Sequence, residues 1–143
     1  MPTSSGSPLL RVLEPLEPIV YPALRIIAGA MFACHGIQKL FGVFGIAEAV
    51  PLFSQLGLGG VIELVGGILI ALGLFTRPAA FLASGQMAVA FFQFHVAETH
   101  KILPIQSGAD DTVLYCFVFL LFFVRGGGRY ALDHVLFPAR STS

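Results

Sequence analysis

The chain has 143 residues, of which 56% are hydrophobic and only 11% are charged, and its net charge is zero. A soluble domain carries about 25% charged residues, so this composition and a mean hydropathy of +0.86 exclude an ordinary soluble fold. We expect an all-α protein, a transmembrane four-helix bundle in one membrane domain. The neutral charge gives no basis for binding nucleic acid. The expected partners are the lipid bilayer and other membrane or redox protein subunits.

Three regions are predicted along the chain. Residues 1–18 contain Pro15 and Pro18, which should interrupt a continuous helix, and they lack the basic start and long apolar core of a signal peptide. We interpret them as a mobile cytoplasmic tail. The four-span membrane domain follows at 19–125, and residues 126–143 form a cytoplasmic C-terminal tail with a candidate short helix.

Four apolar segments have lengths that suit membrane spans, and they cover residues 19–41, 58–75, 79–97 and 110–125. The segment between the first two spans is broken by glycines and Pro51 and is too short to cross. Its apolar residues recur at helical spacing, which predicts a short interfacial helix between the first and second spans. These residues are Ile46, Ala49, Val50 and Phe53.

Small residues form a stripe on each of the first two spans, which permits close contact between helices. The stripes comprise Gly29, Ala33 and Gly36 in the first span and Gly60, Gly67 and Ala71 in the second, where Glu63 shares the face. Arg25 lies one turn into the first span, so we expect its side chain to extend back to the lipid headgroups.

Four spans place both termini on one side of the membrane. That side carries six arginines against two lysines on the other, which predicts a multi-pass protein of the inner (cytoplasmic) membrane with both termini cytoplasmic. The arginines are Arg11, Arg25, Arg77, Arg125, Arg129 and Arg140, and the lysines are Lys39 and Lys101.

Polar side chains of the spans converge at one depth. His35 and Lys39 share a helix face, and at a rise of about 1.5 Å per residue they lie with Glu63 in the outer third of the bilayer. Because a buried charge is costly in lipid, we expect a shared polar pocket with Glu63 paired to Lys39 or His35. At similar depth lie Gln38, His95 and Glu98 as further candidate binding residues, and Asp110 and Asp111 as caps of the fourth helix.

Three uses of this pocket stay open. His35 and Glu63 could bond the carbonyls of a quinone and move protons, with Lys39 beside the reduced, anionic form, so these three are the candidate catalytic residues. Imidazoles and carboxylates could instead hold a metal, although no cysteine cluster accompanies them. The pocket could also only hold the bundle together. Cys34 and Cys116 most simply act as small hydrophobic residues, and a redox pair between them is speculative.

Three motifs occur in order: His35-Gly36-Ile37-Gln38-Lys39-Leu40-Phe41-Gly42, then Glu63-Leu64-Val65-Gly66-Gly67 followed by GLFTRPAA at 73–80, then GGGRYALD at 126–133. Together they resemble the DoxX family of small four-helix integral membrane proteins, over about residues 24–136. Ala131 stands where the family ending often has serine, and residues 95–101 match no family motif.

The resemblance implies a four-span membrane protein tied to redox chemistry. Family members are linked with thiosulfate:quinone oxidoreductase, with quinol oxidase complexes and with membrane oxidoreductase assemblies that involve thiol stress proteins. It also implies that His35, Lys39 and Glu63 form the quinone-facing set. Two hypotheses follow. The protein is a quinone-interacting subunit of a membrane oxidoreductase system, or it is a non-catalytic accessory or assembly subunit of a larger respiratory or photosynthetic membrane complex.

Overall fold

Helices make up the regular secondary structure of the described chain. The computed structural model describes residues 8–45 and 48–138, and no strand occurs among them. The all-α prediction is confirmed. The helices are α1 (Pro8–Leu13), α2 (Glu17–Phe41), α3 (Gln55–Leu72), α4 (Thr76–Thr99), α5 (Pro104–Ser107), α6 (Asp110–Arg125) and α7 (Leu132–Leu136).

The four long helices form a bundle in which α2 packs on α3, α4 packs on α6, and α3 packs on α4. By length and composition α2, α3 and α4 are long and apolar enough to cross a membrane. Helix α6 has 16 residues, which correspond to about 24 Å. Side chains from all four helices meet in one buried core that includes Phe32, Ile70, Ala80, Phe119 and Phe122.

Helices α2 and α3 approach each other closely through the small residues that the sequence places on facing stripes. A Cβ atom added at Gly29 would lie 2.5 Å from the backbone nitrogen of Ala71, and one added at Gly36 would lie 2.4 Å from that of Leu64. A Cβ atom at Gly67 would lie 2.5 Å from the backbone nitrogen of Ala33. The backbones of the two helices are therefore in direct contact, as the stripes predict.

The connection between α2 and α3 differs from the prediction. Residues 42–45 and 48–54 form turns and extended backbone, so the predicted interfacial helix is wrong for the described residues, and Ile46 lies outside them. The physical reason is backbone conformation. Gly42, Phe44 and Gly45 have positive φ angles, of 64°, 56° and 94°, so the right-handed helix α2 ends there. Val50 precedes Pro51, and a residue before proline is disfavoured in the helical conformation, which interrupts a helix through Ala49, Val50 and Phe53. Pro51 then precedes Ser54, whose side chain caps α3.

The N-terminal region also differs from the prediction. Residues 8–18 are helical, and the 3₁₀ turn Glu14–Leu16 connects α1 to α2. Pro15 and Pro18 lie in the first turns of successive helical segments, where a missing N–H removes no hydrogen bond. The α-helix is thus divided at the prolines, as predicted, but the chain stays helical and the first long helix begins before residue 19. The mobility of residues 1–18 stays a prediction, and residues 1–7 lie outside the described chain.

Arg25 lies in the bundle and not at the lipid headgroups, which corrects the expected orientation of its side chain. The residue is only 1% exposed, and its guanidinium donates to the carbonyl oxygens of Gly127 and Tyr130. The Tyr21 hydroxyl donates to the Gly126 carbonyl oxygen at 2.6 Å. The glycine-rich turn after α6 thus supplies the acceptors that a buried guanidinium requires, and it fixes the C-terminal segment on α2.

Asp133 attaches the same segment to the start of α4. Its carboxylate accepts hydrogen bonds from the Phe75 and Thr76 backbone nitrogens at 2.7 and 3.0 Å and from the Thr76 hydroxyl at 2.9 Å. Burial raises the pKa of Asp133, but these three hydrogen bonds outweigh it, so the pKa lies below its ordinary value. A carboxylate is favoured at a helix N-terminus. Asp133 therefore caps α4 from 57 residues away.

The sequence-predicted arginine side of the membrane corresponds to one end of the bundle. Arg77 donates to the carbonyl oxygens of Phe123 and Val124 there, and Arg125 pairs with Glu17. The start of α2 and the end of α6 therefore lie together. Which side of the membrane this end faces stays a prediction, and Arg140 lies outside the described residues.

The close contact between α2 and α3 predicts that adding one methyl group at Gly36 lowers the stability of the protein. Gly36→Ala forces two backbones apart, and overpacking of this kind costs about 1–3 kcal/mol. We expect a lower thermal unfolding midpoint in detergent, measured by circular dichroism. The matched control is Gly85→Ala on α4, where an added Cβ meets nothing within 4 Å. An unchanged midpoint for Gly36→Ala would contradict the close contact.

The cap on α4 predicts an acid-dependent stability. Because the folded-state pKa of Asp133 is depressed, its stabilisation is complete above the ordinary carboxyl pKa of about 3.9 and is lost as the pH falls through the lower folded-state value. Asp133→Asn should lower stability by roughly 1–3 kcal/mol at pH 7 and reduce the acid dependence. Melting curves from pH 7 to 2 test this, with exposed Glu48→Gln as the control. Equal acid dependence in wild type and Asp133→Asn would refute the cap.

Candidate functional site

A cavity of about 400 Å³ lies at the end of the bundle opposite the end that holds Arg25. All four long helices contribute polar side chains to it. Its apolar walls include Phe32, Met87 and Phe94. The polar lining consists of His35 and Lys39 from α2, Gln55 and Glu63 from α3, Gln86, His95 and Glu98 from α4, and Asp111, Thr112 and Tyr115 from α6. The predicted convergence is therefore present for His35, Lys39, Glu63, His95, Glu98 and Asp111.

Glu63 is the buried charge of the site. The residue is 1% exposed, and its Oε1 atom lies 2.5 Å from the Lys39 Nζ atom. The Gln86 amide donates to the same oxygen at 3.0 Å and to the Gly59 carbonyl oxygen at 3.1 Å. Of the two partners expected for Glu63, the structure selects Lys39. A buried carboxylate is tolerated only with such a cation and additional donors.

Two π-helical turns carry side chains of the site. Glu63 lies in the turn Ile62–Gly66 of α3, and His95 lies in the turn Phe91–Val96 of α4. A π turn adds a residue to the helical repeat and redirects the side chains that follow, and such turns are frequent at functional sites. Both π turns lie beside the cavity, which indicates that local helix geometry is adapted to this site.

His95 is held between α5 and α6. Its Nδ1 atom lies 3.2 Å from the Ser107 carbonyl oxygen, which can only accept, so Nδ1 carries a proton. Its Nε2 atom lies 3.3 Å from the Thr112 hydroxyl, which in turn lies 3.3 Å from the Asp111 carboxylate. This chain connects the cavity to an exposed carboxylate at its rim.

Three buried polar atoms around the cavity have no hydrogen-bond partner within the described chain. They are the second carboxylate oxygen of Glu63, the amide oxygen of Gln86 and the hydroxyl of Tyr115. Leaving such an atom unpaired costs about 1–3 kcal/mol. Two of the three can only accept when Glu63 is ionised. Each of the three has less than 1 Å² of accessible surface, so a donor in the cavity would pair with them only after a movement of their side chains.

The matching family model is DoxX, over residues 21–96. This match covers α2, α3 and most of α4, which carry Lys39, Glu63, Gln86 and His95. The chain belongs to the DoxX family. The predicted family is thereby confirmed, and the match contains the first two of the three motifs.

Relatives of this DoxX protein match over most of their length. An uncharacterised protein of Haemophilus influenzae is 42% identical over 130 residues, which cover 87% of this chain and 96% of the relative. The "Putative oxidoreductase CatD" of Bacillus subtilis is 38% identical over 82% of this chain and 87% of its own. The inner membrane protein YqjF of Escherichia coli is 28% identical over 87% of this chain and 97% of its own. No solved structure matches significantly.

The predicted site residues of this DoxX protein fall into two groups. His35, Lys39, Glu63, His95 and Glu98 line the cavity. The Gln38 side chain instead donates to the Phe44 carbonyl oxygen in the turn after α2. Their roles in chemistry stay predictions. In the described ranges, no three His, Cys, Asp or Glu side chains are grouped as metal ligands, and Cys34 and Cys116 are both free thiols.

The sequence analysis missed Gln86 and Tyr115. Gln86 precedes His95 by about two and a half turns of a regular α-helix, which places the two on opposite faces. The π turn Phe91–Val96 shifts this register, so both side chains reach one cavity. Tyr115 lies one turn after Asp111 and packs edge-on against His35, with ring centroids 6.1 Å apart. Helical spacing from Asp111 would have indicated Tyr115.

The Lys39–Glu63 ion pair predicts that substitutions of its two residues have non-additive effects on thermal stability. Lys39→Met leaves the Glu63 carboxylate buried without its cation, a change that costs about 3–5 kcal/mol in fully buried pairs and less here, because the Lys39 side chain is 29% exposed. The double variant Lys39→Met with Glu63→Met removes both charges and should recover most of the thermal midpoint. Lys101→Met, at an exposed lysine, is the control. Additive losses in the double variant would exclude this coupling.

Proposed function

We propose that this DoxX protein is a quinone-interacting subunit of a membrane oxidoreductase system. The observation that carries the proposal is the Glu63 carboxylate, which lines the cavity and is buried in an apolar bundle with one oxygen bound to Lys39 and the other without a partner. The name of the Bacillus subtilis relative supports a redox role. A cavity of about 400 Å³ lies in the range of small-molecule sites.

The chain offers complementary groups for both redox forms of a quinone. The unpaired oxygens of Glu63 and Gln86 would accept hydrogen bonds from quinol hydroxyls, and the Tyr115 hydroxyl can donate to a carbonyl or accept. His35 packs edge-on against the Tyr115 ring and can donate to the opposite oxygen. Phe32, Met87 and Phe94 supply apolar walls for a ring.

A bound quinone takes up two electrons and two protons when it is reduced to quinol. The residues of this protein can exchange the protons. Glu63 and His35 line the cavity, and the hydrogen bonds from His95 through Thr112 to Asp111 lead to its rim. With His95 neutral, Nε2 accepts from the Thr112 hydroxyl. With His95 protonated, Nε2 donates to it and the hydroxyl turns to Asp111. Electrons would be exchanged with a separate redox protein.

Substitution of Glu63, the proposed hydrogen-bond acceptor for quinol, tests the proposal. Glu63→Gln keeps the shape of the side chain but removes its charge, and a hydrogen bond to a charged group contributes about 1.5–3 kcal/mol. We expect quinol binding in lipid nanodiscs to weaken by at least tenfold, and quinone reduction to be lost in Glu63→Gln and His35→Ala while insertion stays normal. Glu48→Gln, an exposed carboxylate outside the cavity, is the control. Retained turnover in both site variants would overturn the proposal.

The accessory-subunit hypothesis provides the contrasting outcome. A gentle native purification followed by mass spectrometry should recover the protein with a quinone and a small redox partner if it acts on quinones. Recovery inside one large membrane complex, with no quinone and with reduced assembly of that complex when the protein is deleted, would instead assign a non-catalytic role. Lys39 and Glu63 would then be structural contacts.

A further inference from the structure

A second cavity, an apolar groove of about 410 Å³, lies between α3 and α4. Its apolar lining comes from Leu58 and Ile62 of α3 and from Phe81, Leu82 and Val89 of α4. Leu58, Phe81 and Leu82 are between 57% and 59% exposed, so the groove is open on the outside of the bundle. In a membrane this surface faces the lipid tails.

The groove adjoins the polar cavity. The two share the lining residues Gln55, Gly59, Gln86 and Val89. A Cβ atom at Gly59 would lie 3.1 Å from the Gln86 amide nitrogen, so a side chain there would narrow the junction. The Gln86 amide, which holds Glu63, therefore stands where the apolar groove meets the polar cavity.

We propose that this groove holds the isoprenoid tail of a quinone whose ring lies in the polar cavity. The inference rests on the proposed function and narrows its substrate to lipid-soluble, tailed quinones that enter from the bilayer. The rest of the cavity rim favours this route, because it carries Lys39, Glu98 and Asp111. An apolar tail that left past these side chains would meet charged groups, whereas the groove leads past apolar side chains to lipid.

The role of the groove is steric more than energetic. Lipid tails are as apolar as the groove walls, so a tail gains little free energy by moving from one to the other. What the groove supplies is an exit for the tail, without which the ring of a tailed quinone cannot enter the cavity. Filling the groove should therefore discriminate between ligands by their tails and not by their rings.

A larger side chain at Gly85 would fill the groove. The residue lines the groove, and a Cβ atom added there meets nothing within 4 Å. The experiment compares wild type with Gly85→Phe for binding of two benzoquinols, one with a decyl tail and one with a methyl group in its place, in lipid nanodiscs. Leu82→Trp, also on the α4 wall, is the second variant. Ile68→Phe, at an exposed position of α3 outside both cavities, is the control.

We expect Gly85→Phe and Leu82→Trp to weaken binding of the decyl compound at least tenfold and to change binding of the methyl compound less than twofold, with no change in Ile68→Phe. Equal binding of the decyl compound by wild type and both groove variants overturns the inference alone. Release of a co-purified lipid by Gly85→Phe with no change in quinol binding also overturns it, because the occupant is then an acyl chain. If wild type binds neither compound, the proposed function itself fails.

Discussion

The direct backbone contact between α2 and α3 is the constraint on which the rest of the structure depends. In lipid, apolar side chains give helices no reason to associate, so packing and polar contacts must supply it. Gly29, Gly36 and Gly67 let the backbones touch, and this closeness places Lys39 within 2.5 Å of Glu63. A larger residue at any of the three glycines would push the two backbones apart.

The two ends of the bundle hold a buried charge in different surroundings. At one end the Arg25 guanidinium donates to backbone carbonyls of the segment after α6, and its Nε atom has no partner among the described residues. At the other end the buried Glu63 carboxylate has one paired and one unpaired oxygen. Both charges therefore keep an unpaired atom, and what distinguishes the Glu63 end is the cavity of about 400 Å³ that Glu63 lines.

Much of this could be predicted from sequence because it depends on periodicity. Hydropathy predicted the long helices, and the small-residue stripes predicted the contact between α2 and α3. The depth of each residue along its span predicted that Lys39, Glu63 and His95 lie close together. What failed depends on non-local backbone partners or irregular helix geometry. Arg25 is buried because the glycine turn 126–128 reaches it from 102 residues away. Gln86 and His95 reach one cavity because the π turn Phe91–Val96 shifts the register between them, and Pro51 disfavours the helical conformation at Val50 in the segment after α2.

The charge balance of the cavity bears on which ligand it takes. Lys39 and Glu63 neutralise each other at 2.5 Å, so an anionic substrate would have to compete with Glu63 for the ammonium group. A neutral ligand leaves the pair intact and can still use the unpaired oxygens of Glu63 and Gln86. Lys39 is then best understood as the ion-pair partner of Glu63, rather than as the direct partner of a reduced, anionic quinone. Neutral quinol meets these conditions, since its hydroxyls donate and its ring suits apolar walls.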